Sequence, residues 1–125
     1  MDENACPRVI FVVDDDAGIR ESLEDVLAGE GYCVVSATDG SDALGKLRAS
    51  PDRLPCVILL DLMMPVMTGS QFYAEKQRDP RLASIPVVLL SADALVREKA
   101  RAFGAEYLAK PVKLELILEA IARHC

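Results

Sequence analysis

The sequence predicts one α/β domain, a doubly wound parallel sheet of five strands covered by five helices. Three observations carry this reading. The chain has 125 residues of which 51% are apolar, enough for one core and short for two domains. Short apolar runs alternate with longer amphipathic stretches, the pattern of repeated βα units. Four of the five candidate strands are continuous apolar runs, as expected where helices cover both faces of a parallel sheet.

The first strand is expected over Val9 to Val13. A helix follows in which Ile19, Leu23, Val26 and Leu27 form an i, i+4, i+7, i+8 stripe, with Asp16 as cap and Gly29 or Gly31 as stop. Cys33 to Ala37 is the second strand. Ala43, Leu44 and Leu47 mark a second helix opening near Asp39 or Ser41. Val57 to Leu60 is the third strand, and a helix over Gly69 to Arg78 ends before Asp79-Pro80, because the residue preceding proline disfavours helix. Val87 to Leu90 forms the fourth strand, followed by a helix from about Ala94 to Phe103 that stops at Gly104. The last unit is Glu106 to Ala109 and a helix with Leu114, Ile117, Leu118 and Ile121 on one face. Residues 1–7 read as a short tail and 8–125 as the domain.

Composition excludes several function classes. Fourteen basic against 20 acidic residues leave a net charge of −6, which repels a phosphate backbone, so direct nucleic-acid binding is not expected. No apolar run approaches the roughly 18 residues of a membrane helix. The acidic N-terminus lacks the charge order of a secretion signal, and a cytoplasmic location follows. Cys6, Cys33, Cys56 and Cys125 show no CxxC pairing, so neither zinc nor disulfides are expected in a reducing compartment. The lone His124 reads as a solvated surface residue.

In a doubly wound sheet, ligands sit at the carboxyl ends of the strands. The first strand runs into Asp14, Asp15 and Asp16, and the third into Asp61. Like charges a few ångströms apart repel by roughly 4 kcal/mol at an effective dielectric near 20. A hard divalent cation offsets this, Mg²⁺ or Mn²⁺ as its substitute. The competing reading is that these aspartates cap helices and form turns, which suits Asp16 best. Ser91 and Lys110 end the fourth and fifth strands, bringing a hydroxyl and an ammonium to the same edge. Together these groups suit phosphoryl transfer to a carboxylate: Asp61 as nucleophile, Asp15 with the metal, and Ser91 and Lys110 neutralising developing charge. No GxxxxGK[ST] loop is present, which makes ATP an unsuitable direct donor.

Four segments in order, FVVDDD at Phe11 to Asp16, VILLDLMMPVMTG at Val57 to Gly69, VVLLSA ending beyond Ser91, and YLAKP around Lys110, resemble the receiver domain of two-component response regulators from about Arg8 to His124. The resemblance implies a flavodoxin-like (βα)5 fold of strand order 2-1-3-4-5. It implies that Asp61 accepts a phosphoryl group from a phosphohistidine of a sensor kinase or histidine phosphotransfer protein. It further implies Mg²⁺ held by Asp15, Asp61 and the Met63 backbone carbonyl, with Asp14 acting through water. Ser91 would hydrogen-bond the phosphoryl group, Lys110 would pair with it, Tyr107 would be the aromatic switch, and Lys110-Pro111 would be a cis peptide. The product would be a signalling switch that catalyses only its own phosphorylation and dephosphorylation, acting on a downstream target or linked output domain, with a phosphorylation-dependent dimer as one mode.

The chain also departs from the family pattern. Thr68 precedes Gly69 where the family often has an acidic or polar residue, and the stretch from Ser91 to Lys110 is shorter than in many relatives by about one helical turn. That shortening puts the usual output face in question. Met63 and Asp93, two positions beyond Asp61 and Ser91, are expected to slow the attacking water and prolong the phosphorylated state. Met64 is expected in the core, and Leu116, off the stripe of its helix, on the surface. Three other readings stand beside this one: a small Mg²⁺-dependent phosphohydrolase, a flavodoxin-like carrier, and a receiver-like module that signals by binding alone. The lack of a cap insertion weighs against the first, and a triply acidic loop without Trp against the second.

Overall fold

The computed structural model describes residues 8–49, 54–62, 68–92 and 96–125. Five strands and five helices alternate: β1 (Val9–Val13), α1 (Ala17–Gly29), β2 (Cys33–Ala37), α2 (Gly40–Ala49), β3 (Val57–Asp61), α3 (Gly69–Arg78), β4 (Val87–Ser91), α4 (Val96–Phe103), β5 (Glu106–Ala109) and α5 (Leu114–His124). The strands form one parallel sheet in the order β2-β1-β3-β4-β5, as expected. β1, β3 and β4 are buried at every position, which is what continuous apolar runs require. β2 departs from the expectation: it is an edge strand of alternating exposure, with Val35 on the surface.

The two faces of the sheet carry separate cores. Ile10, Val12, Leu59 and Val88 pack with Leu23 and Leu27 of α1 and with Ile117, Ala120 and Ile121 of α5. Phe11, Ile58, Leu60 and Leu89 pack with Leu44 and Leu47 of α2, Phe72 of α3 and Ala100 of α4. This division follows from the period of two along each strand.

Caps set the helix starts. Asp16 accepts from the amides of Gly18 and Ile19, and Asp39 accepts from that of Asp42 at 2.8 Å. Thr68 and Gln71 form a reciprocal capping box at the start of α3. α1 ends at Gly29, and Gly31 supplies the positive φ of 89° that turns the chain into β2.

Three expectations are corrected here. The cysteine pattern predicts no disulfides, yet Cys56 at the foot of β3 is bonded to Cys125, with Cα atoms 5.5 Å apart, and Cys33 is disulfide-bonded as well. The fold brings residues 69 apart in sequence together, a proximity that spacing alone does not reveal. His124 is half-buried rather than solvated, its Nε2 2.7 Å from Glu106 Oε1. Leu114, placed on the buried stripe of α5, is 38% exposed, because it stands at the first position of α5, before the helix reaches the sheet. Leu116 is exposed as expected. The expectations for the 1–7 tail, for Met63 and Met64 and for Asp93 lie outside the described residues.

Candidate functional site

The carboxyl ends of β1, β3, β4 and β5 gather the acidic and cationic side chains. Asp61 and Ser91 are the last residues of β3 and β4, one step further inside the strands than the apolar runs indicated, and both are buried. Asp14 follows β1 directly and is also buried, while Asp15 beside it is exposed. One carboxylate oxygen from each of Asp14, Asp15 and Asp61 lies within 4.8 Å of the others. A buried pair and an exposed third carboxylate so close together suit a hard divalent cation open to solvent on one side.

Lys110 supplies the opposing charge. Its ammonium is 3.1 Å from Asp14 Oδ2 and 3.6 Å from Asp61 Oδ2, bridging the two buried carboxylates. Its own amide donates to the Ser91 carbonyl at 2.9 Å, which extends the β4–β5 ladder to the site, and the Lys110-Pro111 peptide that follows is cis. The ladder fixes where the ammonium emerges.

Local hydrogen bonds hold the acidic loop. Asp14 Oδ1 accepts from the Asp16 amide at 2.9 Å, and the Asp14 amide donates to the Ala37 carbonyl of β2. Arg20 Nη1 donates to the Asp14 carbonyl at 2.6 Å, a contact from the first turn of α1 that the sequence reading missed. Its position six residues after Asp14 was the available signal, because one helical turn beyond a cap returns to the strand end.

Gly69 is a second missed constraint. A Cβ at this position would lie 2.7 Å from the Asp61 carbonyl oxygen and 2.8 Å from Leu62 Cα, so only glycine lets α3 start against the end of β3. Its amide donates to the Leu62 carbonyl. Tyr107, the expected switch aromatic, is half-buried on β5, and its hydroxyl accepts from Arg97 Nε of α4 at 3.1 Å. A cleft of about 730 Å³ between α1 and α5 opens beside the site, walled by Ile19, Leu23, Leu90, Val112 and Ile117 with Lys110 on its rim.

Comparison with known proteins agrees with this geometry. The family model for the response regulator receiver domain matches residues 10–122. The chain is 36% identical to protein PilG of Pseudomonas aeruginosa, covering 99% of this chain and 92% of that protein. It spans about half the length of several other curated relatives, including response regulator Rre1 of Synechocystis, at 33% identity over 94% of this chain and 51% of the relative. The solved structure of the chemotaxis response regulator CheY4 of Vibrio cholerae superposes with a TM-score of 0.83 at 30% identity, covering 94% of this chain and 98% of the other.

Proposed function

The chain belongs to the response regulator receiver family, and on that premise we propose that Asp61 is its phosphoacceptor in two-component signalling. The observation that carries the assignment is the buried Asp61 carboxylate at the end of β3, with two further carboxylates within 4.8 Å and the Lys110 ammonium at 3.6 Å. Asp61 attacks the phosphorus of a phosphohistidine, the P–N bond breaks, and the imidazole nitrogen leaves with the electron pair and takes up a proton. The product is an acyl phosphate on Asp61. Lys110 stands within reach of the added charge, and Ser91, buried at the end of the neighbouring strand, offers a hydroxyl from the adjacent position.

Asp14, Asp15 and Asp61 fit Mg²⁺, being oxygen donors only, with Mn²⁺ able to substitute. The ion would neutralise the carboxylates and the incoming phosphoryl oxygens. A relative of the same fold, TrrA of Thermotoga maritima, has been solved with Mg²⁺ and BeF at 28% identity and a TM-score of 0.81, over 94% of this chain and 99% of that one, and this supports the ion choice. In this reading the donor is a sensor histidine kinase or histidine phosphotransfer protein, as the family membership supports. The protein acts on no substrate but its own aspartyl phosphate, signals to a protein target or linked output domain, and works in the cytoplasm. No helix among the described residues is long and apolar enough to cross a membrane.

The test is intact-mass analysis after incubation with acetyl phosphate, with and without Mg²⁺. The expected result is a Mg²⁺-dependent gain of one phosphoryl group that disappears in Asp61→Asn. An unmodified wild-type protein that still binds Mg²⁺ would remove the phosphoacceptor assignment and favour signalling by binding alone.

A further inference from the structure

At the other end of the strands from Asp61 lies a cavity of about 300 Å³, lined by Tyr73 and Lys76 of α3, by residues 83–87 leading into β4, by 104–106 leading into β5, and by His124. Lys76 occupies the i+4 position after Phe72 on the buried face of α3, where an apolar residue is the ordinary choice, and is only 1% exposed. Its ammonium donates to Gln77 Oε1 at 2.9 Å and to the Ala83 carbonyl at 3.0 Å, and lies 5.4 Å from the centre of the Tyr73 ring. All of these partners are neutral. No carboxylate among the described residues comes within ion-pair distance of it.

A buried cation without an anion is costly, and departures of this kind are expected at functional or strained sites. Glu106 also lines the cavity, but its carboxylate is already bound by Arg123 and by His124. Burial alone pushes the Lys76 amine down to about 8, so a negative group beside it would recover part of the lost solvation.

We propose that this cavity is a binding site for a small oxyanion, a carboxylate or a phosphate group, with Lys76 as its cationic contact and His124 at its wall. Ser84 lines the same space. The site is separate from the chemistry at Asp61, so its fate does not depend on the phosphoacceptor assignment.

The experiment titrates the full chain with acetate and, separately, with inorganic phosphate, against chloride at matched ionic strength, and follows the amides of Ala83 to Ile85 and Gly104 to Glu106 together with the Lys76 Nζ titration by NMR. Saturable shifts at those amides and a rise in the Lys76 midpoint of about one pH unit, a tenfold change in its acid dissociation, are expected. Saturation by acetate assigns a carboxylate ligand and saturation by phosphate alone assigns a phosphate group. Lys76→Met should abolish the response, and His124→Gln, which keeps the lysine, should weaken it several-fold. Shifts that grow linearly with concentration, that chloride reproduces, or that persist unchanged in both variants would overturn the proposal.

Discussion

Replacing Lys76 by methionine should stabilise the protein at neutral pH and do so less as pH rises. Methionine keeps an unbranched stem of similar length on the buried face of α3 and removes the charge together with its two hydrogen bonds. In the folded chain burial lowers the amine from 10.5 to about 8, whereas the unfolded chain keeps the ordinary value. Between these two values the unfolded state binds more protons, so wild-type stability rises with pH across that window. The full difference corresponds to about 3 kcal/mol, and the variant also takes the donor away from Gln77 Oε1 and the Ala83 carbonyl, which offsets about 1 kcal/mol of the gain. Below pH 8 the wild type therefore carries the whole penalty, and above about pH 10.5 it carries none.

Urea denaturation of oxidised wild type and Lys76→Met at pH 7 and pH 9.5, in buffers without carboxylate or phosphate, checks this. The variant should be more stable by about 1 to 2 kcal/mol at pH 7, and the gap should narrow by most of that amount at the higher pH. Subtracting the two proteins cancels every titration they share. A variant that is less stable at pH 7, or a gap that does not move with pH, would refute the argument that desolvation of this ammonium is what the fold bears.

The remaining predictions concern the strand ends and the disulfide. Gly69→Ala, favourable in an ordinary helix, should here cost about 1 to 3 kcal/mol in thermal or urea unfolding and weaken Mg²⁺ binding, since the added carbon meets the Asp61 carbonyl at 2.7 Å. Lys110→Ala should destabilise the metal-free protein by about 3 kcal/mol by leaving two buried carboxylates without their shared cation. Added Mg²⁺ should then raise the melting temperature more in the variant than in wild type, and an equal rise would count against the bridge. Opening Cys56–Cys125, which joins residues 69 apart, should lower stability by about 4 kcal/mol on the chain-entropy account, measurable by urea unfolding of Cys125→Ser against wild type with the bond at Cys33 left intact in both. Rapid alkylation of intact cells followed by peptide mapping would report whether these two cysteines are bonded or free where the protein works; free thiols fit a reducing cytoplasm.

Most of the fold and the principal site could be read from local pattern. The strands of β1, β3 and β4 are unbroken apolar runs because helices cover both their faces, and the stripe from Ile19 to Leu27 has a helical period because one side of α1 meets the sheet. Asp14, Asp15, Asp61, Ser91 and Lys110 were identifiable because each ends a strand or follows within two residues of its end, and strand ends of a parallel sheet share one edge. Those are statements about near neighbours in sequence and one rule of topology.

What the tertiary structure decided depends on which distant residues meet. Lys76 has the composition of a surface helix residue, and only packing beneath Ala83 and Tyr73 makes it a buried cation. Cys125 finds Cys56, and His124 with Arg123 finds Glu106, because α5 runs back along the sheet to the feet of β3 and β5. Gly69 is obligatory only because α3 begins against the backbone of Asp61 and Leu62. The exposure of Val35 follows from β2 being an edge, a fact of strand order rather than of its apolar residues. A residue's own chemistry and its periodic neighbours determine which element it joins, while its partners across the core determine its charge state, its constraint and its use.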